Sequence, residues 1–589
     1  MSLLAFMTML THAAQILGIS FRTYAFIGLG FLLVASLATR GFFKQQNRAV
    51  TQYDLQTLLL LVVAGLGGVF ISSFFNIGAS RISYDLFYYV PNAVYHLQNP
   101  TAPMDFFIHF IETGGEPFLA YFGATSLPFE YSQAVISYFL NTSYLTIFFL
   151  FSPALLGFLI PISYFYLLSQ FVSPKSAAVG TLFTIAVILL LGETPRTPGT
   201  WSFPNVYIGK VFLISTGIPL FAGAAINFFR TFAQLDWMLL FAVTTALVGT
   251  TTSCMALLPA LAAVLFIAYA SVVGYRNISP RKVLAYVLSQ SYLLVYIVTI
   301  LSVMNLHSTL GENSAVNEDF PITFLGHAGF LFEKSGPATP LALVGSTVVA
   351  ILLASGPGRK FVIAWILAVI VLFLNPIVAP YVIKYLTTPN IYWRLFYIYP
   401  LPLLLGLTGA RLFENISSFS RPARTGLIAG TAVALFISHF LPFTTSVLYL
   451  RTEFGWPRYK MPQAIEERAA GIISAVPAGP MLAPLPLNGA IVMLSGSYPQ
   501  KRIFNEADRL WFGERGMSAE IDKRICASEF VNGDKPECLP AFRALLADSN
   551  LRSVVIAKSI APDSHVQSIL NKNGFKNYKE IGDLLAYWK

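Results

Sequence analysis

Hydrophobic side chains fill long, nearly unbroken runs from the N-terminus to about residue 448, with short polar stretches between them. A run of about 17–25 apolar residues can cross roughly 30 Å of hydrocarbon as a helix. Thirteen such runs predict thirteen spans: 3–19, 22–39, 55–76, 144–170, 176–192, 208–229, 237–252, 255–274, 283–303, 338–355, 361–382, 395–413 and 425–447. The first lacks the basic leading segment of a removable signal peptide and is read as a span.

Near Trp456 the pattern changes. Two apolar β-type runs, Ala490–Leu494 and Ser553–Ala557, alternate with polar helical stretches, and a further run, Asp583–Trp588, follows. Strands alternating with helices predict a small α/β domain. The expected architecture is therefore an all-α polytopic membrane domain over 1–448 and a soluble α/β domain over 449–589.

Charge sharpens this division. Only 11% of the residues are charged and the mean hydropathy is +0.65. From Arg451 onward there are 18 Lys/Arg and 15 Asp/Glu, half of all the charged side chains. With the N-terminus in the cytoplasm, the inner connections hold thirteen basic and three acidic residues, against seven and ten on the other face. The positive-inside rule then puts the C-terminal domain outside, which in a bacterium is the periplasm beyond the inner membrane. The basic pI of 9.3 reflects these loop charges. No basic cluster supports a nucleic-acid partner. Cys254 reads as packing, whereas Cys526 and Cys538 lie in an oxidising compartment and are expected to form a disulfide.

Three outer segments are long: 77–142, the Pro- and Gly-punctuated 193–207, and 305–339 with Glu312, Glu318 and Asp319, which reads as a solvated loop. Long loops are usually functional. In the first, Arg81-Ile-Ser-Tyr-Asp85-Leu-Phe-Tyr-Tyr-Val-Pro-Asn-Ala-Val-Tyr-His96-Leu-Gln98 reads as an amphipathic helix. Asp85, Tyr88, Tyr89, Asn92 and His96 share its polar face, and Leu86, Val90, Ala93, Val94 and Leu97 lie on the other, a pattern suited to the membrane interface. Asp105 and His109 follow in Pro103-Met-Asp-Phe-Phe-Ile-His109. Cations stand at two outer positions: Arg394 among aromatics in Asn390-Ile-Tyr-Trp-Arg-Leu-Phe-Tyr397, and Arg196 with Lys210 flanking the second loop.

An acid beyond a membrane span, an interfacial helix around it, a long outer loop and a C-terminal periplasmic domain together resemble the GT-C glycosyltransferase superfamily. That class includes protein O-mannosyltransferases and bacterial enzymes that decorate lipid A or cell-wall glycans. The resemblance implies transfer of a sugar from a polyprenyl-phosphate donor to a glycan, lipid or protein acceptor, with inversion at the anomeric carbon. It makes Asp85 the general base, Asp105 an assisting carboxylate, and Arg394, Arg196 and Lys210 contacts for the leaving phosphate. Tyr88, His96 and His109 complete the candidate set. No Asp-x-Asp pair occurs in the first outer loop, so no metal is assigned, although a divalent cation at Asp105 is compatible with the class.

The rival readings are a transporter or flippase for a lipid-linked saccharide, a polysaccharide polymerase or ligase, and a non-catalytic scaffold. Ion-coupled transporters bury ionisable groups within their spans, and the predicted spans hold almost none, His12 and His439 among them.

Overall fold

The computed structural model describes residues 1–46, 53–77, 86–112, 127–191, 196–303, 326–328, 331, 338–353, 356–387, 389–415, 459–501, 518–548, 550–560 and 564–589. Asp85, the 305–325 acids and the expected span 425–447 lie outside these residues. The described residues are mostly helical, with one small sheet near the C-terminus. Among the described residues, five helices are long and apolar enough to cross a membrane: Leu55–Asn76, Tyr144–Leu168, Gly209–Thr231, Cys254–Val273 and Trp393–Asn415. A bent pair, Pro280–Leu288 with Ser291–Ile300, makes a sixth if counted as one span. Leu58, Leu59, Val62, Val63, Leu66 and Phe70 are all exposed on the first of the five. A contiguous apolar face of that kind suits lipid rather than water.

The chain forms two compact units. One comprises Met1–Leu10, Gly28–Ile77 and Phe148–Thr452. Without a hydrophobic drive between helices in lipid, close backbone approach holds them. Helices Leu55–Ile77 and Ser152–Leu168 meet at Gly68 and Gly157, where a Cβ on Gly68 would fall 2.3 Å from the Gly157 carbonyl oxygen. Caps and breaks follow local chemistry. Ser173 caps helix Pro174–Leu190 by accepting from the Ser176 N–H, with proline at the first turn.

Two expected spans are interrupted. The run 283–303 bends by 57° between its two helices. There Ser289 bonds back to the Tyr286 carbonyl, and Gln290 accepts from Thr244 of the Gln234–Val248 helix. The run 361–382 stops at Leu372 and resumes at Ala379–Tyr385. Asn375-Pro376 lies between them, where proline removes a donor and the Asn375 side chain accepts from the Ile377 N–H. The run 395–413 opens as a 3₁₀ turn, Trp393–Ile398, before the α-helix Leu401–Asn415.

The other unit comprises Thr11–Ile27, Gly78–Ile147 and Glu453–Lys589. The C-terminal residues thus gain two segments beyond the expected 449–589. Its sheet has the order β1-β2-β4-β3, with β1 Met481–Leu482, β2 Ser553–Ala557, β3 Asn577–Ile581 and β4 Leu584–Trp588. β1 and β2 run parallel and the other pairs antiparallel. Two of the three expected strands are present. The third, Ala490–Leu494, is instead the end of a helix, Leu487–Leu494, buried almost throughout. A short apolar run has the same pattern as a buried strand or a buried helix. Phe530, Phe542, Val554, Ile556 and Tyr587 contribute to the core beneath the sheet, and the Cys526–Cys538 disulfide closes beside it.

The C-terminal segment also holds the 86–112 segment. Gln98 accepts from the Gly496 N–H at 2.9 Å and donates to the Leu494 carbonyl at 3.2 Å. A Cβ on Gly496 would strike the Tyr95 backbone at 2.5 Å, so only glycine allows this approach. The Glu112 N–H donates to the Gln500 carbonyl, the Gln500 N–H donates to the Phe110 carbonyl, and Arg524 donates to the Glu112 carbonyl.

Lys501 is fully buried, with Asp548 at 2.6 Å and Glu112 at 3.8 Å. Removing one partner of a buried charge costs about 3–5 kcal/mol in the general case. Asp548→Ala leaves the ammonium with Glu112 alone, and it should destabilise this unit toward the lower end of that range. A clear drop in melting temperature of the full-length protein is expected, and Asp548→Asn should recover part of it.

Candidate functional site

Two groups of side chains are brought together, one in each unit. In the helical unit, the three cations marked in the sequence converge on one aromatic cluster. Trp201 lies in the turns after Arg196. Its ring meets Trp393 edge-on at 5.0 Å and stacks on Tyr397 at 5.6 Å, with both partners on the 3₁₀ turn Trp393–Ile398. The Arg394 guanidinium lies over Trp393 at 5.2 Å and Trp201 at 5.9 Å. Arg196 lies over Trp393 at 5.8 Å, and the Lys210 ammonium over Trp201 at 5.5 Å. Cations within about 6 Å of an indole face are attracted by its quadrupole.

Backbone geometry fixes this cluster. The Tyr397 hydroxyl donates to the Arg196 carbonyl, and Arg394 donates to the Ser253 hydroxyl. Ser253 is the residue that precedes helix Cys254–Val273, so Arg394 sits at the positive end of a 20-residue helix. Gly209 packs against the Thr250 carbonyl, where a Cβ would fall at 2.0 Å, and so holds the Lys210 segment against the approach to the same helix. Burial is the largest influence on Arg196 and lowers its pKa, and the Arg394 charge adds to that fall against the pull of Tyr397. Like charges thus crowd one site at a helix N-terminus, an arrangement that suits an anion.

In the second unit, His96 from helix Leu86–Gln98 meets Asp105 and His109 from the following turn. One ligand atom from each lies within 4.8 Å of the others. The Asp105 Oδ1 and His109 Nε2 share a hydrogen bond of 3.0 Å. Helix and turn are tied by Asn92, which accepts from the His109 N–H and donates to the Phe107 carbonyl. Tyr95 stacks on the His109 ring at 3.9 Å and 5°, and Gln15 donates to the Asp105 carbonyl.

This corrects the expected interfacial helix. Asn92 and His96 are buried at 1% and 0% exposure, as are Leu86, Val90, Ala93 and Val94 on the opposite side. The face drawn as polar is covered by the Met104–Ile111 segment of the same loop, which supplies its hydrogen-bond partners. Burial, reinforced by His109, pushes the His96 imidazole down to about 3 against the pull of Asp105, so His96 is neutral near pH 7. Burial pushes the Asp105 carboxyl up, but the His109 hydrogen bond and charge, with the Phe107 N–H, outweigh it and hold the group below the usual carboxylate range.

Asp85 lies outside the described residues. Tyr88 falls within helix Leu86–Gln98, and its side chain lies outside the described set. Sequence reasoning selected Arg394, Arg196, Lys210, His96, Asp105 and His109, placed Asn92 on the same helix face as His96, and missed Trp201, Ser253 and Tyr95. The Pro- and Gly-rich setting of Trp201, five residues after Arg196, was the available signal.

No protein-family model matches the chain, and no curated protein sequence matches it. Among solved structures it is similar to ArnT from Cupriavidus metallidurans bound to undecaprenyl phosphate, with a TM-score of 0.48 and 12% identity over 90% of this chain and 97% of that one. It is also similar to the archaeal oligosaccharyltransferase AglB from Archaeoglobus fulgidus in complex with an inhibitory peptide and a dolichol-phosphate (TM-score 0.48, 11% identity, 90% and 74%). The mycobacterial arabinofuranosyltransferase AftD is a third (TM-score 0.48, 12% identity, 90% and 39%).

Proposed function

We propose that this protein is a GT-C-type membrane glycosyltransferase that moves a sugar from a polyprenyl-phosphate donor to a glycan, lipid or protein acceptor at the outer face of a bacterial inner membrane. The observation that carries this reading is the convergence of Arg394, Arg196 and Lys210 on one aromatic cluster at the N-terminus of helix Cys254–Val273.

In this reading Asp85 takes the proton of the acceptor hydroxyl, whose oxygen attacks the anomeric carbon. The bond from that carbon to the phosphate oxygen breaks, and the polyprenyl phosphate leaves with the electron pair. Attack opposite the leaving group inverts the anomeric centre. Charge gathers on the leaving oxygen, where preorganised cations lower the barrier most. Arg394 supplies a planar fork for two phosphate oxygens, while Arg196 and Lys210 add charge. Asp105 is the second carboxylate of the same outer loop and assists there.

The test is transfer itself. Full-length protein in lipid nanodiscs is given a polyprenyl-phosphate sugar labelled in the sugar, together with envelope extracts as acceptor. Label should pass covalently to acceptor with release of polyprenyl phosphate. Movement of intact labelled lipid across vesicles, with no covalent transfer, would replace this reading with a flippase.

A further inference from the structure

We propose that His96, Asp105 and His109 form a binding site for one divalent transition-metal ion of the zinc class. The proposal rests on the local geometry of these residues; it shares Asp105 with the sugar-transfer reading, and its readouts need no transfer.

Three observations carry it. The three ligand atoms already lie within 4.8 Å of one another, so small side-chain movements would bring them onto one ion. Zinc takes imidazole nitrogen and carboxylate oxygen at about 2.0–2.2 Å, and three protein ligands with an open fourth position form a recurrent set. Magnesium and calcium favour all-oxygen shells, so two imidazoles select against them.

The second observation is His96 itself. It has zero exposure, and neither of its ring nitrogens has a hydrogen-bond partner. Buried polar groups are paired in the great majority of cases. A metal ion would satisfy one of these nitrogens with the neutral imidazole that coordination requires.

The third is support around the ligands. Asn92 pins the backbone of His109, Tyr95 stacks flat on its ring, and Gln15 holds the Asp105 carbonyl. Such outer contacts orient metal ligands and are worth roughly 10- to 100-fold in affinity. Asp105 and His109 retain 24% and 20% side-chain exposure, which leaves a path for the ion from water.

The experiment uses the full-length protein in detergent, without substrate. Protein purified without chelator should carry about one zinc per chain by elemental analysis. After stripping, Co²⁺ alone should give visible absorption bands of a nitrogen- and oxygen-ligated tetrahedral site, and Zn²⁺ should raise the melting temperature. His109→Gln, at a partly exposed position, and His96→Gln should both lose the cobalt bands, and Asn92→Ala should weaken Zn²⁺ roughly 10- to 100-fold. Stripped wild-type protein with no cobalt bands and no melting shift with Zn²⁺ would overturn the site, whatever the variants do. So would full metal content retained in a folded His96→Gln or His109→Gln protein.

Discussion

Arg394→Ala is expected to lower the rate of sugar transfer by roughly 100- to 1,000-fold, the usual effect of removing one preorganised donor from a developing negative charge. The loss should fall on kcat, because the charge on the leaving phosphate is larger in the transition state than in the bound donor. Arg394 also donates to Ser253 and covers Trp393, so alanine could disturb local packing. Arg394→Lys separates the two effects, because it keeps the charge and removes the planar fork. An intermediate rate for lysine, with unchanged melting behaviour, is the expected pattern. Near wild-type transfer by the alanine variant would remove Arg394 from the mechanism and leave the cluster as an interfacial anchor.

Asp85→Asn should have an effect at least as large. A positioned general base contributes about 100- to 10,000-fold. The amide matches the carboxylate in size and cannot accept the proton. Insertion, detergent elution profile and melting temperature should match wild type while labelled sugar stays on its lipid. Transfer within a few-fold of wild type would sink the assignment of Asp85 and direct attention to another acid of the first outer loop.

The helical runs were legible because a span requires an apolar stretch that little else produces. Their breaks were harder to see. Ser289-Gln290 and Asn375-Pro376 are two polar or helix-breaking residues each, lost in the average of a long window, and only the partners of Gln290 and Asn375 make their effect local and sharp. Ala490–Leu494 was ambiguous in principle, since burial on all sides erases the difference between period 2 and period 3.6. β3, Asn577–Ile581, is largely exposed and carries no apolar alternation to read.

The candidate site was legible by residue type and not by neighbourhood. Arg196, Lys210 and Arg394 were chosen because cations beside aromatics at an outer loop suit a phosphate, but their meeting joins positions almost 200 residues apart. His96 was misplaced for a related reason. A helical wheel assigns Asn92 and His96 to a polar face, and it has no knowledge of the turn that folds back over that face to bring Asp105 and His109 to it.

The bracket between Gln98 and residues 494–496 has a consequence for biosynthesis. The two ends of that contact are separated by almost 400 positions. At ribosomal rates of about 5–20 residues per second, roughly 20–80 s pass between the emergence of the first outer loop and that of its fastening. The 86–112 segment must wait, with the Tyr95 backbone uncovered, until most later helices have been made. Completion of this loop is therefore among the last events in the maturation of each molecule, and an interrupted nascent chain carries it unfinished.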